Sequence, residues 1–391
     1  MKKKNWAVCL VWILAGVFLL NVGAVTVRAE GEDLITAPHG VLMEASTGTI
    51  IYEKDMDTRV KPASITKIMT LILIFDELEK GNIHMEDEVI TSAYAKSMGG
   101  SQVFLEEGEK QTVETMIKCI VIASGNDASV AMAEHIAGNE PEFVNAMNKK
   151  AQALGMKNTH FVDCCGLTDS DDHYTTAYDI ALMSRELIRK YPEILNYSSV
   201  WMDTITHNTR QGSKEFGLSN TNRLIRTYEG CVGLKTGSTS KAKFCVSAVA
   251  KRKGITLIAV VMAAPDSRTR VKDASMLFDY GFAKCSLYTD ENPGKLPDLK
   301  VIKGIKEKTT LTFGKTFRCL STDGTTFDKI KKKLILPNEV KAPVKKGQKA
   351  GELVYYQENR ELGRIPVIYA ENVKKAGYLD RLKQTAEEFC L

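Results

Sequence analysis

The segment that most restricts the fold is the run that follows Pro62. From about Ser64 to Glu79 it carries Ile68, Met69, Leu71, Ile72, Ile74, Phe75 and Leu78, apolar nearly all round. That spacing predicts a helix which the rest of the chain must wrap on every side, with Pro62 well placed just before its start. The 391 residues can supply the wrapping, because 44% are apolar and 26% charged, an ordinary folded composition. It excludes disorder, collagen and a multi-span membrane protein, and the length fits two or three domains.

Around this helix the period of the sequence changes several times. Residues 41–54 (VLMEASTGTIIYEK) read as a hairpin that turns at Ser46-Thr47-Gly48. Residues 112–137 give two helical stretches interrupted at Ser124-Gly125-Asn126, and 177–190 give another, which together predict a mostly helical insertion. Strands return at Cys231–Thr236, Phe244–Lys251 and Ile255–Ala263, expected as neighbours in one sheet, and a helix over 271–284 is expected to cover it. Glu291-Asn292-Pro293-Gly294 is a turn-rich linker. Beyond it, short strands at 298–305, 308–313, 316–321, 332–336, 351–357 and 362–370 predict a small all-β domain. A helix is expected from about Val373 to Leu391, with Leu379, Leu382, Ala386 and Phe389 on one face. Its polar face carries both signs, so peripheral membrane contact and packing onto the protein both stay open.

At the other end, Lys2 to Lys4 precede fifteen uncharged, mostly apolar residues from Trp6 to Leu20, and Val27-Arg28-Ala29 follows. This pattern reads as a secretory signal peptide over residues 1–29, cut after Ala29; an uncleaved anchor is the alternative. Either reading places the rest of the protein outside the cytoplasm. The formal charge of +5 owes four cations to these residues, and without them 49 basic side chains face 48 acidic ones. Nucleic acid is therefore an unsuitable partner. Cys9 belongs to the leader, and the remaining eight cysteines are expected mostly as free thiols, since a chain this long does not need disulfides. None forms a C-x-x-C pair and the six histidines lack ligand spacing, so no metal or cofactor is expected.

Three short motifs carry the chemistry. Ser64-Ile65-Thr66-Lys67 places an amine one helical turn from a hydroxyl, at i and i+3. A lysine desolvated among apolar neighbours loses part of its preference for the charged form and can accept a serine proton. Free N–H groups at the helix start can face a developing oxyanion. In Ser124-Gly125-Asn126, Ser124 can relay a proton between Lys67 and a leaving amine, and Asn126 can donate to a substrate carbonyl. Lys235-Thr236-Gly237 offers a cation and a hydroxyl to a carboxylate, and Gly237 leaves room for substrate backbone along the strand edge. Each triplet alone is equally readable as a capped helix, a loop or a strand end.

The three in this order resemble the active-site serine penicillin-recognising enzymes. The flanking segments VLMEASTGTIIYEKDMDTRVKPASITKIMT, IVIASGNDASVAMAEHIAG, HYTTAYDIALMSREL, NTNRLI, GLKTGSTSKAKFCVSAVAKRKG and RVKDASMLFDYGF resemble the D-alanyl-D-alanine carboxypeptidases, the low-molecular-mass penicillin-binding proteins. The likeness spans roughly residues 35–285, and APVKKGQKAGELVYY resembles that family's β-rich domain. It implies an α/β (α+β) fold of the β-lactamase/transpeptidase type, an antiparallel sheet with a helical subdomain, followed by a small all-β domain. The expected division is catalytic domain 30–288, β-rich domain 289–372 and C-terminal helix 373–391.

The resemblance implies Ser64 as acyl-enzyme nucleophile, Lys67 as its base and Ser124 as relay. Asn126 would position the peptide, while Lys235, Thr236 and Arg270 would bind its terminal carboxylate. Backbone N–H groups of Ser64 and Ser238, beyond Gly237, would form the oxyanion hole, and Asp179 would lend support from behind. The implied partners are peptidoglycan stem peptides ending in D-Ala-D-Ala, with β-lactam antibiotics as inhibitors, and the implied location is the cell wall or the outer face of the membrane. One departure is Lys243, where the family usually has glycine. It sets a long cation near the cleft, favouring anionic peptides, or else points into solvent.

Rival readings are a β-lactamase, a non-catalytic penicillin sensor and a transpeptidase. Glu193-Ile194-Leu195-Asn196 is one residue short of the glutamate segment of some β-lactamases. The extra β domain favours the peptidase.

Overall fold

The computed structural model describes residues 34–209 and 212–389, so the expected signal peptide, Cys9 and Cys390 lie outside the described residues. In chain order the first part contains β1 (His39–Glu44), β2 (Ile50–Lys54), α1 (Lys67–Lys80), α2 (Val113–Val121), α3 (Asn126–Ala137), α4 (Glu140–Ala153) and α5 (Ala177–Lys190). There follow β3 (Met202–Thr209), β4 (Gly212–Ser219), β5 (Cys231–Thr239), β6 (Lys243–Arg252), β7 (Ile255–Ala264) and α6 (Ser267–Lys284).

Strands β2-β1-β7-β6-β5 form one antiparallel sheet, in that order, with β5 at its edge. The hairpin β1–β2 turns where expected because the buried Glu44 carboxylate accepts from the amides of Ser46 and Thr47 at 2.9 and 2.7 Å and from both their hydroxyls. Successive side chains of a strand point to opposite faces. Leu257 to Met262 on β7 are all buried, so both faces of the sheet are covered there, and α5 and α6 both pack on β7.

The wrapped helix is α1, whose Ile68, Met69, Leu71, Ile72, Ile74 and Phe75 are at most 1% exposed. It stops at Gly81, which takes the left-handed φ of 73° that releases the last carbonyls to a cap. Its start differs from the expectation. Ser64 lies in a 3-10 turn, Ala63–Thr66, and the α-helix opens only at Lys67. The turn is closely flanked on both sides, by strand β5 at Gly237 and by the loop at Gly166, neither of which has room for a side chain against it.

Helix α6 begins at 267 rather than 271 because the Asp266 carboxylate caps it, accepting from the amides of Arg268 and Thr269 at 2.8 Å. Two elements carry little signal in the sequence. Helix α4 is announced only by Asn139, which caps it through the Glu142 amide, and by Pro141 in its first turn. Hairpin β3–β4 has a mixed, mostly exposed pattern with weak period-2 alternation.

Beyond α6 the chain is strands. Ser286–Asp290, ahead of the turn-rich segment, pairs with Phe317–Ser321, and Leu311–Phe313, Arg360–Tyr369, Lys349–Gln357 and Lys331–Ile335 form a four-stranded sheet. A third sheet brings Glu339–Lys341 parallel to Leu299–Ile302. Phe317 and Tyr355 stack at 3.7 Å in one apolar cluster, and the Tyr355 hydroxyl donates to Asp290 at 2.9 Å. The last helix, α7 (Tyr378–Phe389), starts five residues later than expected. The bridges Val344↔Val373 and Gly304↔Lys375 hold residues 373–375 extended. On its apolar side Leu379 and Leu382 are exposed, at 80% and 54%.

Candidate active site

The three motifs come from different elements and meet at the edge of β5. Ser64 stands half-buried in the 3-10 turn, Lys67 and Asn126 open α1 and α3, Ser124 sits in the loop before α3, and Lys235 to Ser238 lie on β5. Gly237 is what lets strand and turn touch. A Cβ there would stand 2.9 Å from the Ser64 amide nitrogen and 3.0 Å from the Pro62 oxygen.

Lys67 is fully buried, and its Nζ lies 3.1 Å from Ser64 Oγ, 2.6 Å from Asn126 Oδ1 and 2.9 Å from the Cys165 carbonyl oxygen. Burial pushes its pKa below the usual lysine value, only partly offset by the charges of Cys165, Cys164, Asp163 and Asp127. A neutral amine has two hydrogens and one lone pair. In that neutral form the two oxygens that can only accept, on Asn126 and Cys165, would take the hydrogens and leave the lone pair facing the Ser64 hydroxyl. This is the arrangement a proton acceptor for Ser64 requires.

Lys235 is 1% exposed, and burial first, then the positive charges of Lys67 and Arg270, drive its pKa well below the ordinary value. Its Nζ donates to Ser124 Oγ at 2.8 Å and to its neighbour's carbonyl oxygen at 3.0 Å. Ser124 Oγ thus takes its hydrogen bond from Lys235. Arg270, in the first turn of α6, is 8% exposed, donates to the Cys245 carbonyl at 3.3 Å and leaves Nε without a partner among the described residues. Burial pushes its pKa down as well. Thr236 Oγ1 donates to Thr221 Oγ1 at 2.6 Å. No carboxylate forms an ion pair with Lys67, Lys235 or Arg270 among the described residues. A desolvated Lys235 and a buried guanidinium without a paired carboxylate make a site that an incoming anion would stabilise.

Asn126 bridges the site to its wall. Its Oδ1 accepts from Lys67 and its Nδ2 donates to the Gly99 carbonyl at 2.7 Å, leaving one amide hydrogen for a ligand. Ser238 is exposed at the open end of the strand. Asp179 does not reach the site: it accepts from the Asn158 amide and Thr159 hydroxyl at 2.9 and 2.7 Å and ties α5 to that loop. Glu193 is exposed and makes no hydrogen bond with Ser64 or Lys67 among the described residues.

Sequence reasoning missed the loop that backs the site. The Asp163 carboxylate accepts from the amides of Cys165, Gly166 and Thr168 at 3.0, 2.5 and 2.7 Å, which turns the Cys165 carbonyl toward Lys67. Gly166 has φ 77°, and a Cβ there would fall 1.8 Å from the Ala63 oxygen. His173 is 1% exposed, accepts from the Val162 amide through Nδ1 at 3.1 Å and so presents Nε2–H to Thr66 Oγ1 at 2.9 Å. The signals present in the sequence are Asp163 with Gly166 as turn residues, and His173 at the start of the family-like segment HYTTAYD. The thiols of Cys119, Cys164, Cys165, Cys231, Cys245, Cys285 and Cys319 are free.

Comparison with known proteins gives a consistent picture. A family model described as D-alanyl-D-alanine carboxypeptidase matches residues 26–266, and one described as the C-terminal domain of penicillin-binding protein 5 matches residues 290–375. The chain is 41% identical over 379 residues to the D-alanyl-D-alanine carboxypeptidase DacF of Bacillus subtilis (strain 168), covering 95% of this chain and 96% of that one. It is 31% identical to DacA of Haemophilus influenzae, over 89% and 88% of the two chains. Among solved structures, penicillin binding protein 5 from Haemophilus influenzae superposes with a TM-score of 0.74 at 30% identity, covering 87% of this chain and 98% of that one. The Streptomyces K15 DD-transpeptidase superposes with a TM-score of 0.59 at 31% identity, over 64% and 98%.

Proposed function

The chain belongs to the D-alanyl-D-alanine carboxypeptidase family, and we propose that Ser64 is the residue through which it removes the terminal D-alanine of peptidoglycan stem peptides. It is a serine-type D-alanyl-D-alanine carboxypeptidase of the penicillin-binding protein 5 kind, with a transpeptidase-like fold and a small β domain. The observation that carries the residue roles is the fully buried Lys67 amine 3.1 Å from Ser64 Oγ, beside the buried Lys235 and Arg270.

In this reading the substrate's free carboxylate docks on Lys235 and Thr236, with Arg270 supplying further positive charge, and restores the counter-charge that the site lacks by itself. The peptide lies along β5, and the second amide hydrogen of Asn126 holds a substrate carbonyl. Ser64 Oγ attacks the penultimate D-alanine carbonyl carbon while Lys67 takes its proton. The oxyanion is held by the amides of Ser64 and Ser238. The C–N bond then breaks as the proton taken by Lys67 is relayed through the Ser124 hydroxyl to the departing D-alanine amine, which leaves Lys67 neutral again. Water, again deprotonated by Lys67, releases the shortened peptide. A penicillin presents a carboxylate and a strained amide in the same relation, so it acylates Ser64 and leaves slowly.

Residues 1–29 act as a signal peptide cleaved after Ala29, which places the catalytic domain of about 30–288 at the cell wall. The exposed Leu379 and Leu382 on α7 make a peripheral membrane contact. No helix of the described residues is long and apolar enough to cross a membrane.

Intact-protein mass spectrometry of the mature chain with benzylpenicillin, and separately with diacetyl-lysyl-D-Ala-D-Ala, tests this. A persistent penicilloyl adduct and released D-alanine are expected, both lost in Ser64→Ala. An adduct on the Ser64→Ala protein would overturn the assignment, and fast penicillin turnover without D-alanine would mean a β-lactamase.

A further inference from the structure

Docking of the substrate as proposed gives the edge strand a direction, and the role of Lys243 rests on that docking. The carboxylate end sits at Lys235 and Thr236, and the scissile bond sits beside Gly237, where strand and Ser64 turn touch. Upstream residues of the peptide must therefore pass Ser238 and Thr239, antiparallel to β5, toward the turn that joins β5 to β6.

That turn carries a lysine in left-handed backbone, one of several non-glycine residues of the chain that adopt it. Lys243, the first residue of β6 and the register partner of Thr239, is exposed and has φ 56°. Left-handed backbone is free for glycine and costs a lysine about 1–2 kcal/mol. The strain is not repaid within the chain, because Lys243 Nζ has no hydrogen-bond or ion-pair partner among the described residues. Its neighbours differ. Lys241 donates to the Asp169 carbonyl at 2.9 Å, and Lys61 pairs with Asp171 at 3.1 Å. Lys243 lines a cavity of about 350 Å³ together with Ser238, Thr239, Ser240, Phe244 and Pro265. No acid lines it, and the nearby Asp266 is already engaged in capping α6. A free cation and three hydroxyls thus surround the space that the upstream part of the peptide approaches.

We propose that Lys243 is a specificity-determining residue that reads a side-chain carboxylate on the residue preceding the terminal D-Ala-D-Ala pair, so that the preferred stem peptide carries that carboxylate free rather than amidated. The only anion a peptide can bring to this point is a carboxylate, and an amide in its place offers Lys243 no charge. The long side chain can sweep the cavity, so the effect is on peptide selection and not on the acyl-transfer step.

The test uses two peptides that differ in one group, N-acetyl-L-Glu-D-Ala-D-Ala and N-acetyl-L-Gln-D-Ala-D-Ala, with D-alanine release as the readout. The kcat/KM ratio of the first to the second should be about threefold to fivefold at low salt, the range of an exposed ion pair. It should fall toward one in about 0.5 M NaCl, where the Debye length is on the order of 4 Å. Lys243→Gly, which also relieves the backbone, should bring the ratio to about one, Lys243→Gln should do the same, and Lys243→Glu should invert it. Each ratio is internal to one protein, so a change in overall activity does not mimic it. A ratio of one in the unmodified enzyme, or a preference that survives Lys243→Gly and Lys243→Gln, overturns the proposal while leaving the carboxypeptidase reading intact. Release from neither peptide by the unmodified enzyme overturns both.

Discussion

Replacing Gly237 by alanine isolates the contact that assembles the site. The new Cβ would stand 2.9 Å from the Ser64 nitrogen, 3.0 Å from the Pro62 oxygen and 3.1 Å from the Ile65 nitrogen, where ordinary contact begins at 3.4 Å. All three are main-chain atoms, so no rotamer change relieves the clash, and Gly237 lies outside the left-handed region, so backbone strain adds nothing. Strand and turn must separate by roughly 0.5 Å to restore ordinary contact. The turn cannot retreat easily, because the Gly166 loop is already seated against the Ala63 oxygen behind it. Strand β5, an edge strand, moves instead, carrying Lys235 and Ser238 with it. Overpacking of this size costs about 1–3 kcal/mol of stability. Misplacement by a fraction of an ångström between Ser64 and the strand that holds the substrate costs acylation about 10- to 100-fold. Stopped-flow acylation with a fluorescent penicillin, beside a thermal melt, reads both. A Gly237→Ala protein that folds and acylates within about twofold of the unmodified rate would refute the idea that this contact sets the geometry.

Two further outcomes follow from burial. Because desolvation lowers the Lys67 pKa, the acylation rate should rise with pH through a group titrating below the ordinary lysine value of 10.5, and Lys67→Ala should lose that limb along with most of the rate; a limb at 10.5 would remove Lys67 as the base. Burial lowers the His173 pKa from 6.5 to about 4, so the unfolded chain takes up a proton that the folded one refuses. The His173 contribution is complete above about pH 6.5 and is lost as pH falls through about 4, at most about 3 kcal/mol. Urea melts at pH 7 and 4.5 should therefore show His173→Asn losing less on acidification than the unmodified protein, and parallel losses would refute this.

The legible part of the fold was whatever rests on local pattern. The all-round apolar run around Phe75, the hairpin at Ser46-Thr47-Gly48 and the β-branched run from Ile255 needed no partner to be read, because burial on every side or on two faces leaves its signature in the sequence. Helix α4 and hairpin β3–β4 were not legible, since one is signalled only by its cap and the other is half exposed. The candidate site was legible as chemistry: Ser64, Lys67, Ser124, Asn126 and Lys235 to Gly237 stood out by type, order and likeness.

What the sequence by itself determined is therefore the inventory, a serine with a lysine one turn away, a Ser-Gly-Asn loop, a Lys-Thr-Gly strand, and the elements that carry them. Tertiary structure alone decided who touches whom. It bonded Ser124 to Lys235, tightened the Ser64 turn to a 3-10 helix, and brought in the Cys165 carbonyl and His173. The physical reason is that hydrogen-bond partners and desolvation are properties of the packed interior. Lys67 is an ordinary lysine until α1, α3 and the Asp163 loop close over it and leave its amine with two acceptors and one serine.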